Sequence, residues 1–184
     1  MSIIINLFGG PGSGKSTLAS ELFSVMKKRA YSVELTQEFP KVLAWDGNIE
    51  SIKDQFYVTA NQHRNISRLY GKVDYIIVDS PILLGLVYKN MYDSFSNYPS
   101  EFYDESYDNF IISLFKKYKN INIYLKRLEN TYENVGRYQD YEESLSIDKK
   151  IKELLLVNNL PFNEFNVDYN IANEVLNHIR NQKL

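Results

Sequence analysis

Residues 9–17, Gly-Gly-Pro-Gly-Ser-Gly-Lys-Ser-Thr, follow directly on the apolar run Ile3–Phe8 and lead into a helical pattern. The spacing fits G-x-x-x-x-G-K-[ST], with Gly9 opening, Gly14 closing, and Lys15 and Ser16 after it. Glycine-rich turns are common before helices, and the strand before and helix after are what single this one out as a phosphate-binding loop. Successive N–H groups of such a loop point inward at one anion, and the helix start that follows favours the same charge. Gly10, Gly12, Ser13, Gly14, Lys15, Ser16 and Thr17 form the expected cradle for a nucleoside triphosphate. Lys15 is placed to neutralise the β and γ phosphates, and the Ser16 hydroxyl to ligate Mg²⁺. The helix itself is read from Leu18, Leu22, Val25 and Met26 on one face, closed by Lys27, Lys28 and Arg29 where its dipole is negative.

Short β-branched or aromatic runs then alternate with longer helical patterns, which predicts an α/β fold: a five-stranded parallel sheet with helices on both faces. The remaining strands are expected at Tyr31–Thr36, Val73–Val78, Ile121–Leu125 and Phe162–Val167. A long helix is predicted over 51–70, with Ile52, Phe56, Ala60, His63 and Ile66 as its apolar seam. A short helix is expected after Pro81, and others end near Lys116, run from Tyr141 to Val157, and run from Asn170 toward Arg180. The 184 residues, 44% of them hydrophobic, suit one domain spanning 1–184, with a lid segment near 127–140. There is no cysteine, and two histidines are too few for a histidine cluster. No leader pattern and no apolar run of about 18 residues is seen, so a soluble, cytoplasmic protein is expected, in the host cytoplasm if phage-encoded, with no membrane partner. Net charge is −2, which offers no global attraction to a nucleic acid. Whether the chain forms a homodimer stays open.

Function is read from what stands at the strand ends. Val73–Val78 delivers Asp79 to a carboxyl end, where ligands bind in doubly wound sheets, so Asp79 is expected to meet the Mg²⁺ held by Ser16. Glu38, just after the second strand, is the candidate for taking or orienting the proton of an acceptor hydroxyl, though it also reads as a turn residue before Pro40. Arg127 and Arg137, after the fourth strand, are candidates for stabilising charge on the transferring phosphate, with Gly136 as a hinge between lid positions; either arginine also reads as a solvated charge. Gln55 and Gln62, seven residues apart on one helix, are spaced to read a base or carboxamide edge. Trp45 and Phe56 are candidate walls of the acceptor pocket, and His63 reads as a core histidine. The segment 90–110 holds Asp93, Glu101, Asp104, Glu105 and Asp108 with no Lys or Arg. It reads as a solvated insertion or as a lip over the acceptor site.

No N-K-x-D or L-S-G-G-Q stretch occurs, and the length leaves no room for a separate helical lid domain, which argues against GTPase switches, transporter ATPases and AAA+ machines. The layout over essentially the whole chain resembles the nucleoside and nucleotide kinase group. Glu38-Phe39-Pro40-Lys41, Asp54-Gln55, Gln62-His63-Arg64 and Gly71 to Pro81 look like small bacteriophage P-loop proteins usually labelled AAA-family ATPases. Those are similar to nicotinamide riboside kinase domains and deoxynucleoside kinases. One departure is Ser80, where deoxynucleoside and thymidylate kinases commonly carry arginine; Arg64 or Arg68 is the candidate replacement. The resemblance implies an ATP- and Mg²⁺-dependent phosphotransferase acting on a hydroxyl of a small nucleoside- or nucleotide-like acceptor. Two alternatives remain at this point, a kinase acting on a hydroxymethylated base in phage DNA, disfavoured by the acidic balance, and a regulatory P-loop ATPase with no acceptor.

Overall fold

The computed structural model describes residues 1–92, 100–127 and 140–182, with the backbone alone for 100–104. Along the chain these form β1 (Ile3–Phe8), α1 (Lys15–Lys28), β2 (Val33–Thr36), α2 (Phe39–Trp45), α3 (Ile49–Lys53), α4 (Gln55–Ser67) and β3 (Tyr75–Val78). There follow α5 (Leu84–Tyr92), α6 (Ser100–Lys116), β4 (Lys119–Lys126), α7 (Tyr141–Val157), β5 (Asn163–Asn166) and α8 (Ile171–Asn181). The five strands form one sheet in the order β2-β3-β1-β4-β5 with every pairing parallel. The predicted α/β class and sheet are therefore as observed.

A parallel sheet buries both faces, which is why its strands read as near-continuous apolar runs. On one face Ile5, Leu7, Ile77, Ile121 and Ile123 pack against Leu18, Leu22 and Met26 of α1 and Val175, Leu176 and Ile179 of α8. On the other, Ile4, Phe8, Ile76, Val78 and Tyr124 meet α4 to α7 through residues such as Ile66, Leu84, Ile111, Phe115, Ile147 and Ile151. A polar seam crosses this second face. Asn6 Nδ2 donates at 3.0 Å to both Asn120 Oδ1 and Asn122 Oδ1, and Asn122 passes the bonding on to Pro161 O. A third, smaller cluster of Leu43, Ile52 and Val58 ties α2, α3 and α4 together above the sheet's carboxyl edge.

Several expectations are corrected. The predicted helix over 51–70 is two helices, because Asp54 ends α3 and caps α4, accepting from Tyr57 N at 2.9 Å. An aspartate that bonds a neighbouring N–H offers the backbone an alternative to continuing the helix. The apolar seam of α4 is also rotated. Gln55, Val58, Thr59, Gln62 and Ile66 are buried, whereas Phe56 is 61% exposed. Gln55 Nε2, Thr59 Oγ1 and Gln62 Nε2 on this face each find a hydrogen-bond partner, so these side chains pack where periodicity alone expects carbon. The acidic segment is not wholly a solvated insertion. α6 begins at Ser100, Tyr107 is buried, and the buried Lys89 pairs with Asp108 at 2.6 Å. Finally, α2 follows Glu38 at once, Pro40 sitting in its first turn where a missing N–H costs nothing.

Candidate functional site

Register brings the candidate residues to one edge. Asn6 of β1 lies beside Val78 of β3, and Val78 beside Thr36 of β2. The phosphate loop, Asp79 and Glu38 therefore leave the sheet side by side, where ligands bind in open α/β sheets. At that edge is a cavity of about 390 Å³. One end is walled by Gly12, Gly14, Lys15, Ser16 and Thr17, the other by Glu38, Lys41, Trp45, Gln55, Gln62 and Ser80, with Tyr88 and Tyr92 at its side.

The loop has the geometry its glycines foretell. Gly12 and Gly14 take φ of 78° and 88°, the left-handed region where a side chain is strained. Gly14 is also the N-cap of α1, with no side-chain cap, so the first N–H groups of that helix are left to the loop's ligand. Lys15 Nζ donates to Gly9 O at 2.7 Å and Gly10 O at 2.9 Å, which folds the ammonium over the loop. Ser16 and Thr17 are exposed at the cavity wall.

Asp79 is 6% exposed, and its buried Oδ1 has no hydrogen-bond partner. Orphaned carboxylate oxygens are costly, and a hard cation with oxygen ligands is what such a group suits. Ser16 and Asp79 thus fit a Mg²⁺ site. Among the described residues no group of three His, Asp or Glu converges, so the ion would draw its other ligands from water and phosphate.

At the end away from the loop the two glutamines are held firmly. Gln55 Nε2 donates to Ile52 O at 2.7 Å. Gln62 Nε2 donates to Ser80 Oγ at 2.7 Å, and its Oε1 is buried with no partner. Behind them the Tyr107 hydroxyl bonds Thr59 Oγ1 at 2.7 Å and donates to Gln55 O at 3.1 Å. Gly85 of α5 fits against this group, since a Cβ there would lie 2.4 Å from Thr59 Oγ1 and 2.7 Å from Tyr107 Oη. Tyr88 and Tyr92 stack at 6.0 Å with their rings 13° from parallel.

Other candidates fall elsewhere. Arg64 is exposed and absent from the cavity wall, because two residues past Gln62 the helix has turned by about 200°. Arg68 is exposed too, so neither supplies the arginine that Ser80 displaces. Trp45 lines the cavity while 74% exposed, but Phe56 packs beside Tyr107 at 6.3 Å instead. His63 lies outside the cavity and bonds Tyr118 Oη at 2.7 Å; burial first, then the charge of Lys117, lowers its pKa. Arg127 is 7% exposed and gives Nε and Nη2 to Asp148 Oδ2 at 3.0 and 2.9 Å, away from the cavity wall. Arg137, Gly136 and most of the proposed lid lie outside the described residues.

Asp148 and Tyr88 were not singled out from sequence; Ser80 was read only as a departure from an arginine, and Tyr92 and Tyr107 only as part of the segment 90–110. Asp148 carried a signal, an acidic residue in the same helical stripe as the buried Ser144, Ile151 and Leu155. Tyr88 carried none, whereas Tyr92 and Tyr107 fell in the tyrosine-rich segment read as an insertion or a lip.

The sequence matches the model of an AAA domain family over residues 4–170, from β1 to the loop before α8. No curated protein matches it. Among solved structures, the deoxyadenosine kinase of M. mycoides with bound dATP is similar at a TM-score of 0.65 and 21% identity, covering 97% of this chain and 100% of that one. The same enzyme with bound dCTP gives 0.59 at 19% identity, covering 97% and 98%. With the products dCMP and a flexible dCDP it gives 0.61 at 18%, covering 96% and 98%. Among the described residues no helix is long and apolar enough to cross a membrane. The parallel sheet with the phosphate loop after its central strand is a P-loop kinase fold, and by its match across nearly the whole chain this protein belongs to the AAA domain family.

Proposed function

We propose that this chain is an ATP-dependent phosphotransferase that moves the γ-phosphate to a hydroxyl of a small nucleoside- or nucleotide-like acceptor. The observation that carries the reading is that Lys15 and Glu38 wall one and the same cavity. A volume of about 390 Å³ is within the range of small-molecule sites. The similar deoxyadenosine kinase, whose structures hold deoxynucleotides, supports the same class of substrate.

Phosphoryl transfer asks the protein for charge neutralisation and for an acceptor oxygen held in line. The loop N–H groups and Lys15 bind the β and γ phosphates. Ser16 and Asp79 would hold a Mg²⁺, which would supply further charge neutralisation. Glu38 orients the acceptor hydroxyl and receives its proton as the oxygen bonds phosphorus. Gln62 Oε1 accepts from an N–H of the acceptor's base or carboxamide, Gln55 shapes the same wall, and Trp45, Tyr88 and Tyr92 offer faces on which a ring stacks. Arg127 and Arg137 bear on the phosphate side. The enzyme works in the cytoplasm.

Labelled γ-phosphate transfer from ATP to a panel of deoxynucleosides, nucleotides, nicotinamide riboside and hydroxymethylated DNA tests this. A labelled small-molecule product is expected. Label on DNA alone would move the assignment to a DNA base kinase, and release of inorganic phosphate with no acceptor labelled would leave an ATPase.

A further inference from the structure

α7 reaches the phosphate loop through one carboxylate. Asp148 Oδ1 accepts from Gly10 N at 2.5 Å, and Asp148 Oδ2 accepts from Arg127 Nε at 3.0 Å and Nη2 at 2.9 Å. Asp148 takes two of the three guanidinium nitrogens. The packing at Gly10 is tight. A Cβ there would lie 2.8 Å from Ser144 O, 2.9 Å from Asp148 Oδ1 and 3.3 Å from Arg127 Nη2, so the guanidinium is beside the loop backbone itself.

The charges of this arrangement call for an account. Both side chains are largely buried, at 7% and 14% exposed, and a buried ion pair is a weak source of stability because two ions lose their water. A lone carboxylate beside a triphosphate cradle would repel the ligand. Joined to Arg127 it is neutralised, and its two oxygens fix the Gly10 peptide and the plane of the guanidinium at once.

We infer that Asp148 is a positioning residue for nucleotide binding, bridging the first turn of the phosphate loop to Arg127 and setting the guanidinium against the loop backbone behind the cavity wall. It touches neither phosphate nor acceptor and acts through Arg127 and Gly10. Arginine suits the role because its planar fork matches a carboxylate oxygen with two N–H bonds, which an ammonium does not reproduce. The inference rests on the chain binding nucleotide, as the proposed function does, but not on the identity of the acceptor.

The test is the affinity of the full chain for a fluorescent ADP analogue with Mg²⁺, beside thermal melting of each variant. Asp148→Asn keeps a carbonyl for Gly10 N–H and loses the charge, and Arg127→Gln loses the guanidinium. Each is expected to weaken binding about tenfold, and the double variant no further than the weaker single, the mark of residues acting as one unit. Tyr124→Phe removes the other bond to this residue, Tyr124 Oη to Asp148 O at 3.0 Å, and is expected to bind as the wild type. In a transfer assay the Asp148→Asn effect falls on KM for ATP with kcat kept. Should Asp148→Asn fail to fold, Arg127→Lys decides, since it keeps the charge and loses the fork; binding like that of Arg127→Gln supports the inference. Wild-type affinity in Asp148→Asn or in Arg127→Lys, single effects that multiply in the double variant, or equal weakening by Tyr124→Phe would overturn it. Absence of phosphate transfer with these affinities as expected would instead strike the kinase reading alone.

Discussion

The two ends of the cavity are built by different means. The phosphate end comes from nine consecutive residues, whose strand, loop and helix carry their geometry with them wherever they are found. The acceptor end is gathered from α2, α3, α4 and α5, and under it lies a cluster of only three buried residues, Leu43, Ile52 and Val58. Lys15 at the first end is satisfied by carbonyls of its own loop, while Gln62 at the second keeps a buried acceptor atom without a partner. The lesson is that the phosphate loop is local and generic, tied to the rest of the fold through Asp148, whereas the other end is tertiary and particular to this chain.

Substitutions at each end should therefore separate. The largest effect is expected for Lys15→Ala, which removes the cation over the loop. Transfer should fall by about 10²–10³-fold or more, with melting unchanged. Full turnover in this variant would end the assignment of the loop. Next comes Glu38→Gln, expected to slow transfer by about 10²–10⁴-fold while leaving ATP affinity as it is, because the lost carboxylate serves the acceptor. Equal losses of ATP binding and transfer would erase the division between the ends.

Gly85→Ala probes the acceptor end through packing. The added Cβ meets Thr59 Oγ1 and Tyr107 Oη, which are bonded to each other and cannot both give way. A loss of about 1–3 kcal/mol of stability is expected, with a raised KM for the acceptor and unchanged nucleotide affinity. Calorimetry and steady-state kinetics on one preparation check both parts.

Tyr107→Phe is the mildest, costing about 0.5–1.5 kcal/mol through the bonds to Thr59 and Gln55 O. It also carries a pH signature. Burial raises the Tyr107 pKa most, the Thr59 bond pulls it part of the way back, and Asp108 and Asp54 add to the rise, for a value of about 12 against the ordinary 10.0. The folded chain thus holds this proton at pH values where the unfolded chain has lost it. The contribution is complete below pH 10 and disappears as pH climbs toward about 12, so stability falls with rising pH across that window. Tyr124, also raised to about 12, chiefly by burial, keeps part of the fall in the variant. Urea melts of wild type and Tyr107→Phe between pH 9 and 12 would show a shallower decline in the variant.

The same division governs what was legible in the sequence. The sheet and its order of elements followed from apolar runs and from a motif of short range. At the other end of the cavity periodicity misjudged α4, because its buried face carries Gln55, Thr59 and Gln62, and the partners of the last two, Tyr107 and Ser80, lie 48 and 18 residues away. Hydrophobic counting assigns such residues to solvent. Asp54 had the chemistry of a helix cap, but inside a continuous pattern its effect depends on which way the next helix packs. The Arg127–Asp148 pair spans 21 residues and was invisible for the same reason, as no local rule links a strand end to a later helix.

The central claim is that one cavity holds a phosphate donor and an acceptor hydroxyl together, and the fate of the γ-phosphate tests it most directly. With labelled ATP, Mg²⁺ and a deoxynucleoside mixture, wild-type protein should place the label on a nucleoside hydroxyl, and Glu38→Gln should not, though it binds ATP. Label recovered only as inorganic phosphate, at the same rate with and without nucleosides and in both proteins, would contradict the account.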